Sequence, residues 1–189
     1  MTIPKWAVSV LACPRCGRAL VGFSAKATVV RCRDCGPYPV LAGVPVLVPE
    51  PARWCATFYD AALSALAEVE RSSKQVVATL RAFADAAAGA EPARFSDDWT
   101  SAEGGGANEE PLCEGPGADA LAELLVVAKA QSASLWLEHR APEGVVLEVG
   151  CGAGLTAMHL HSKRRSLVVG DVSLRAVLHA AGRSGAVPV

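Results

Sequence analysis

The spacing of apolar positions changes along this chain, and each change marks a different kind of element. Residues 1–49 carry short extended runs: Ala27-Thr28-Val29-Val30-Arg31 has strand composition, and Tyr38 to Pro49 is extended and punctuated by prolines. From Pro51 to about Ala90 the chain is alanine-rich, with Trp54, Phe58, Ala61, Ala62, Leu66 and Val69 at helical spacing. Pro51 suits a first helical turn. Ser72-Ser73 marks a break, after which Val76, Val77, Leu80 and Phe83 resume the stripe. Periodicity disappears from Glu91 to Gly117, where Gly104-Gly105-Gly106, Pro111 and Pro116 lie in an acidic stretch that reads as a loop or linker. Asp119 is placed to cap a helix with Leu121, Leu124, Leu125, Ala128, Leu135 and Trp136 on one face. Past Pro142 the pattern is that of buried parallel strands. Residues 145–149 and 166–170 are short apolar runs, Leu174, Val177 and Leu178 mark a helix that residues 182–185 break, and 186–189 look like the approach to a third strand. The class predicted is α/β.

Candidate chemistry sits at both ends. Cys13-Pro14-Arg15-Cys16-Gly17 and Cys32-Arg33-Asp34-Cys35-Gly36 form two C-x-x-C pairs with 15 residues between them. That spacing matches a four-thiolate zinc site, structural because four protein sulfurs leave no open position. Disulfides are the competing reading, disfavoured because nothing in the chain is secretory. So short a module cannot bury much core and needs a staple.

Near the other end, residues 145–149 run into Gly150-Cys151-Gly152-Ala153-Gly154. Side chains at Gly150 or Gly152 would stand between the backbone and a ligand. A dinucleotide fingerprint would place its third glycine at Leu155, and a pyrophosphate would not favour the strand-end carboxylate of Glu148. Asp171 closes the next strand 17 residues beyond Gly154, near the roughly 20 expected for a ribose-binding acid. Two acids around a glycine turn suit a ligand with a ribose and a positive end, such as S-adenosylmethionine. A nicotinamide- or nucleotide-binding unit, or a turn that binds nothing, is the alternative.

Residues 148–154, followed by Gly170-Asp171-Val172-Ser173, resemble the first two motifs of Rossmann-like S-adenosylmethionine-dependent methyltransferases. The resemblance covers about Leu135 to the C-terminus. It implies that Glu148, Gly150, Cys151, Gly152 and Gly154 hold the methionine part of the cofactor and that Asp171 takes the ribose hydroxyls. Cys-Pro-x-Cys-Gly, a second pair, then Tyr38-Pro39-Val40 and Gly43-Val44-Pro45-Val46-Leu47 resembles the zinc ribbon of small activator proteins of tRNA and release-factor methyltransferases. By that likeness Cys13, Cys16, Cys32 and Cys35 bind zinc. The expected organisation is a zinc ribbon (1–49), a helical segment (50–134) with a loop at about 91–117, and the start of an incomplete, doubly wound parallel sheet (135–189). The likeness leaves the methyl acceptor unassigned. Measured against the family's sheet of about seven strands, the chain reads as a fragment with weak cofactor affinity, no activity of its own, and an open strand edge prone to self-association.

Composition limits the setting. At 189 residues and 51% hydrophobic, the chain can bury a substantial core. Its net charge of −1 gives no global drive toward nucleic acid or anionic membrane. Residues 1–49 nevertheless carry six basic side chains against Asp34 alone, a net +5 that leaves −6 on the rest. That keeps RNA open as a partner. The apolar stretch Trp6 to Ala12 is too short for a convincing signal segment, no run reaches transmembrane length, and the chain reads as cytoplasmic. Lys163-Arg164-Arg165 reads as a solvated helix end, His159 and His161 point apart on one helix, and Cys55, Cys113 and Cys151 lack partners at metal spacing.

Overall fold

The computed structural model describes residues 3–69, 73–89, 143–152, 154–160 and 164–189. Helix α1 (Lys5–Val10) precedes an antiparallel sheet of β1 (Leu20–Val21), β2 (Val29–Cys32), β3 (Gly36–Leu41) and β4 (Val44–Pro45), paired in that order. Helices α2 (Pro51–Thr57), α3 (Tyr59–Ala67) and α4 (Lys74–Asp85) follow. Then come β5 (Gly144–Val149), α5 (Leu155–Leu160), β6 (Arg165–Gly170), α6 (Leu174–Ser184) and β7 (Val187–Pro188). These last three strands form a parallel sheet in the order β5-β6-β7, so the predicted third strand does form, on β6. The loop at 91–117 and the helix expected from Asp119 lie outside the described residues.

β3 explains why its segment is apolar at successive positions. Tyr38 and Val40 pack into a small core with Cys13, Leu20, Val30 and Cys32, while Leu41 belongs to the main core with Val44 and Val46. One strand thus serves two cores. Its two-residue connection to β4, Ala42-Gly43, has φ of 52° and 89°, the paired positive values that a tight hairpin needs to follow strand twist.

The predicted stripe Trp54, Phe58, Ala62, Leu66 is buried, but not on one helix: a turn at Phe58 separates α2 from α3. Pro51 occupies the first turn of α2 as expected. Of the break at Ser72-Ser73 only Ser73 lies within the described residues, and it starts α4: its hydroxyl accepts the Val76 N–H at 3.3 Å, a cap worth about 1 kcal/mol. α6 buries Leu174, Val177, Ala180 and Ala181, and it continues through Gly182 to end at a left-handed Gly185.

A single main core joins Trp54, Leu66 and Leu80 to Leu167, Val169, Val177 and Ala186. Within it α5 and α6 lie against the parallel sheet, and the helical segment reaches that core by packing α3 on α6. Arg175 on α6 donates to Glu68 (2.7 Å) and Ser64 (3.0 Å) on α3; such an exposed pair contributes at most about 1 kcal/mol. The indole N–H of Trp54 donates to the Val172 carbonyl at 3.2 Å, tying α2 to the end of β6.

The opposite face is covered by α1, which the apolar run from Trp6 had not disclosed. Ala7 is fully buried against Val168 and Val187, with Ile3, Trp6 and Val189 around it. This cover stops short of β5, where the alternate residues Val145, Leu147 and Val149 are 50%, 59% and 79% exposed. Among the described residues β5 pairs with β6 alone. Arg165 corrects the sequence reading. The register sets it opposite Gly144, so it already lies in the strand and is buried, while Arg164 pairs with Glu143 at 3.3 Å.

Candidate metal centre and candidate cofactor turn

The four predicted thiols converge. The sulfurs of Cys13, Cys16, Cys32 and Cys35 all lie within 4.8 Å of one another, and they are the metal-type cluster found among the described residues. Backbone bonds shape the first knuckle: Cys13 N–H donates to Arg18 O and Gly17 N–H to Cys13 O, each at 2.8 Å. The second knuckle is the turn from β2 to β3, with Cys32 registered opposite Gly36. Arg18 pairs with Asp34 across the two.

The donor set suits a tetrahedral ion. Zinc–sulfur bonds of about 2.3 Å imply neighbouring sulfurs about 3.8 Å apart, and Cys16 and Cys32 stand at 3.6 Å. Burial opposes ionisation of Cys13, but hydrogen bonds from the Tyr38 hydroxyl and from the backbone of Arg15 and Cys16 outweigh it and bring the thiol down to about 6. Cys35 is pushed up to about 12, chiefly by its hydrogen bond with Cys16 and by burial. Sulfurs this close ionise together only around a cation. Tyr38 is the residue that sequence reasoning left without a role. Its hydroxyl stands 3.1 Å from the Cys13 sulfur, and the only sequence signal for it was its place in Tyr38-Pro39-Val40.

The glycine turn gathers the second set. Glu148 is the last residue but one of β5 and Asp171 follows β6, which puts both acids at the same end of the parallel sheet. Asp171 reaches back across it: Oδ2 accepts the Gly152 N–H and Oδ1 the Ser173 N–H, both at 3.0 Å. Each oxygen keeps a lone pair for another donor. Gly150 and Gly152 adopt φ of +72° and +49°, and a Cβ on either would meet nothing within 4 Å. Gly154 differs, because a Cβ there would lie 2.7 Å from the Ala180 Cα, so α6 uses the space. The Cys151 N–H donates to Gly170 O at 3.2 Å, and burial pushes its thiol up to about 12. Cys55 is buried in the main core, and Cys113, His161 and Ala153 lie outside the described residues.

Glu148 carries the unpartnered atom of the site: its Oε2 is buried and makes no hydrogen bond among the described residues. Burial raises its pKa, with a hydrogen bond from Thr156 pulling the other way. A carboxyl raised on folding contributes stability that is complete below its unfolded pKa and is lost as pH rises through the folded one. The ligand-free chain is therefore expected to lose stability as pH climbs through and above the ordinary glutamate range, and Glu148→Gln should flatten that part of the profile. Thermal melts at stepped pH check this; parallel profiles for the two proteins would count against it.

No family model matches the chain, and no curated protein or solved structure matches it. Among the described residues no helix is long and apolar enough to cross a membrane.

Proposed function

We propose that this chain joins a zinc ribbon to the cofactor-binding strands of a Rossmann-like, S-adenosylmethionine-dependent methyltransferase, working in the cytoplasm. The observation that carries the reading is the Asp171 carboxylate closing on the Gly152 N–H beside the unpartnered Glu148 oxygen. Two strand-end acids thereby flank a turn with bare backbone. The cofactor, when bound, supplies an electrophilic methyl group on a sulfonium. Glu148 would take its ammonium group, which gives the buried oxygen a partner. The free lone pairs of Asp171 would accept from the ribose hydroxyls, and Gly150 and Gly152 would let the main chain approach. Catalysis in this class draws heavily on holding two reactants in line. The ribbon thiols would hold zinc structurally, and the acceptor is left open.

Calorimetric titration with S-adenosylhomocysteine tests this. Weak but saturable binding is expected, at least about tenfold weaker in Asp171→Asn, where the charge-assisted bonds are lost. No binding by the wild-type chain, or equal binding by the variant, would sink the reading.

The exposed Val145, Leu147 and Val149 favour a second reading. In it, a non-catalytic interaction module associates through β5, using its apolar strip and the edge left unpaired among the described residues. Light scattering separates the two, since a monomer at all concentrations removes the second.

A further inference from the structure

We infer that Tyr38 is a positioning residue of the metal centre, its hydroxyl donating to the Cys13 sulfur and fixing that ligand's direction and charge. The inference rests on the four thiols holding a metal ion. Tyr38 lies on β3, just past the second cysteine pair, and is 1% exposed; Cys13 is 2% exposed, and the two atoms are 3.1 Å apart. A phenol this deeply buried needs a partner for its hydroxyl. A metal-bound thiolate carries no proton, so across this contact only the phenol can donate.

The four sulfurs are not equivalent. Cys16 is exposed and Cys35 half-buried, so water can solvate them, whereas Cys13 and Cys32 are withdrawn from it. Four thiolates around one divalent ion leave an excess of negative charge, and a buried sulfur cannot spread its share into solvent. Donation from Tyr38 supplies at Cys13 what water supplies at Cys16. It also sets the direction of the sulfur lone pairs, as donors behind metal ligands commonly do.

Cobalt(II) is the probe, because its sulfur-to-metal charge-transfer band reports electron density on the ligating thiolates. Tyr38→Phe keeps the ring and removes only the oxygen. The variant's band is expected at lower energy, with cobalt and zinc both held about ten- to hundredfold more weakly in chelator competition. Tyr59→Phe, which deletes a hydroxyl engaged instead by Arg81 at 3.2 Å, should change neither readout. Incorporating 3-fluorotyrosine keeps the fold and makes the phenol a stronger donor, which should move the band to higher energy. An unmoved band and affinity in Tyr38→Phe, an equal change in Tyr59→Phe, or no response to fluorination would overturn the inference while the metal site stood. Failure of the wild-type chain to take up cobalt would remove the site itself.

Discussion

Replacing Cys32 with serine is expected to cost the chain its metal and the ribbon its fold. The ribbon's own core is small: Leu20, Val30, Tyr38 and Val40, with two of the cysteines themselves. Structural zinc contributes roughly 10 kcal/mol or more of apparent folding energy in comparable peptides, whereas four apolar side chains supply about 6–12 kcal/mol together, which the conformational entropy of ordering the module more than offsets. Elemental analysis should fall from one zinc per chain to well under one, and the amide signals of β1 to β3 should lose their dispersion. Chelation or acid should do the same to the wild type, because protonated thiols do not ligate. A Cys32→Ser protein that kept full zinc against a chelator would refute both the site and its structural role.

Gly154→Ala is expected to be the most damaging small substitution in the parallel-sheet half. The added Cβ would stand 2.7 Å from Ala180 Cα and 2.8 Å from its Cβ, at a φ of +83° that side chains rarely adopt. Overpacking costs about 1–3 kcal/mol, and the strained backbone costs about as much again, so a loss of about 3 kcal/mol or more follows. Gly152→Ala offers the control: it meets no atom within 4 Å and bears only the strain of φ +49°. Urea midpoints for the two variants decide the matter. Equal losses would show that α6 does not need the space. Ala180→Gly should recover only part of the Gly154→Ala loss, since the shorter contact is with the Cα, which it retains.

What could be read from sequence was what a local rule governs. Two cysteine pairs at fixed spacing imply convergent sulfurs whatever lies between them, and the structure brings those sulfurs together. Continuous apolar runs around a glycine turn imply parallel strands, and β5 and β6 pair in parallel. Illegible features depended on distant partners. α1 is six residues with no side-chain cap and no charge complementing its ends, so only Val168 and Val187, far along the chain, make it a helix worth forming. Arg165 looked solvated because its neighbours are charged; the strand register that buries it is not written nearby. The split roles of the glycines were equally hidden, because α6 is what distinguishes Gly154 from Gly150 and Gly152. Tyr38 could be seen, but only folding shows that its hydroxyl ends at a sulfur.

The placement of α1 constrains how the thiol end of the molecule can move. The chain enters the first cysteine pair directly from a helix whose Ala7 is pinned to the sheet, and it leaves β4 into α2, whose Trp54 is bonded to the end of β6. A module hung from a single linker swings, and whatever it grips arrives at a neighbouring site over a spread of distances and angles. Held at its entry and its exit, this one has lost most of that swing. Anything grasped by the basic ribbon would be offered to the glycine turn at a nearly constant bearing, as a workpiece is held in a jig.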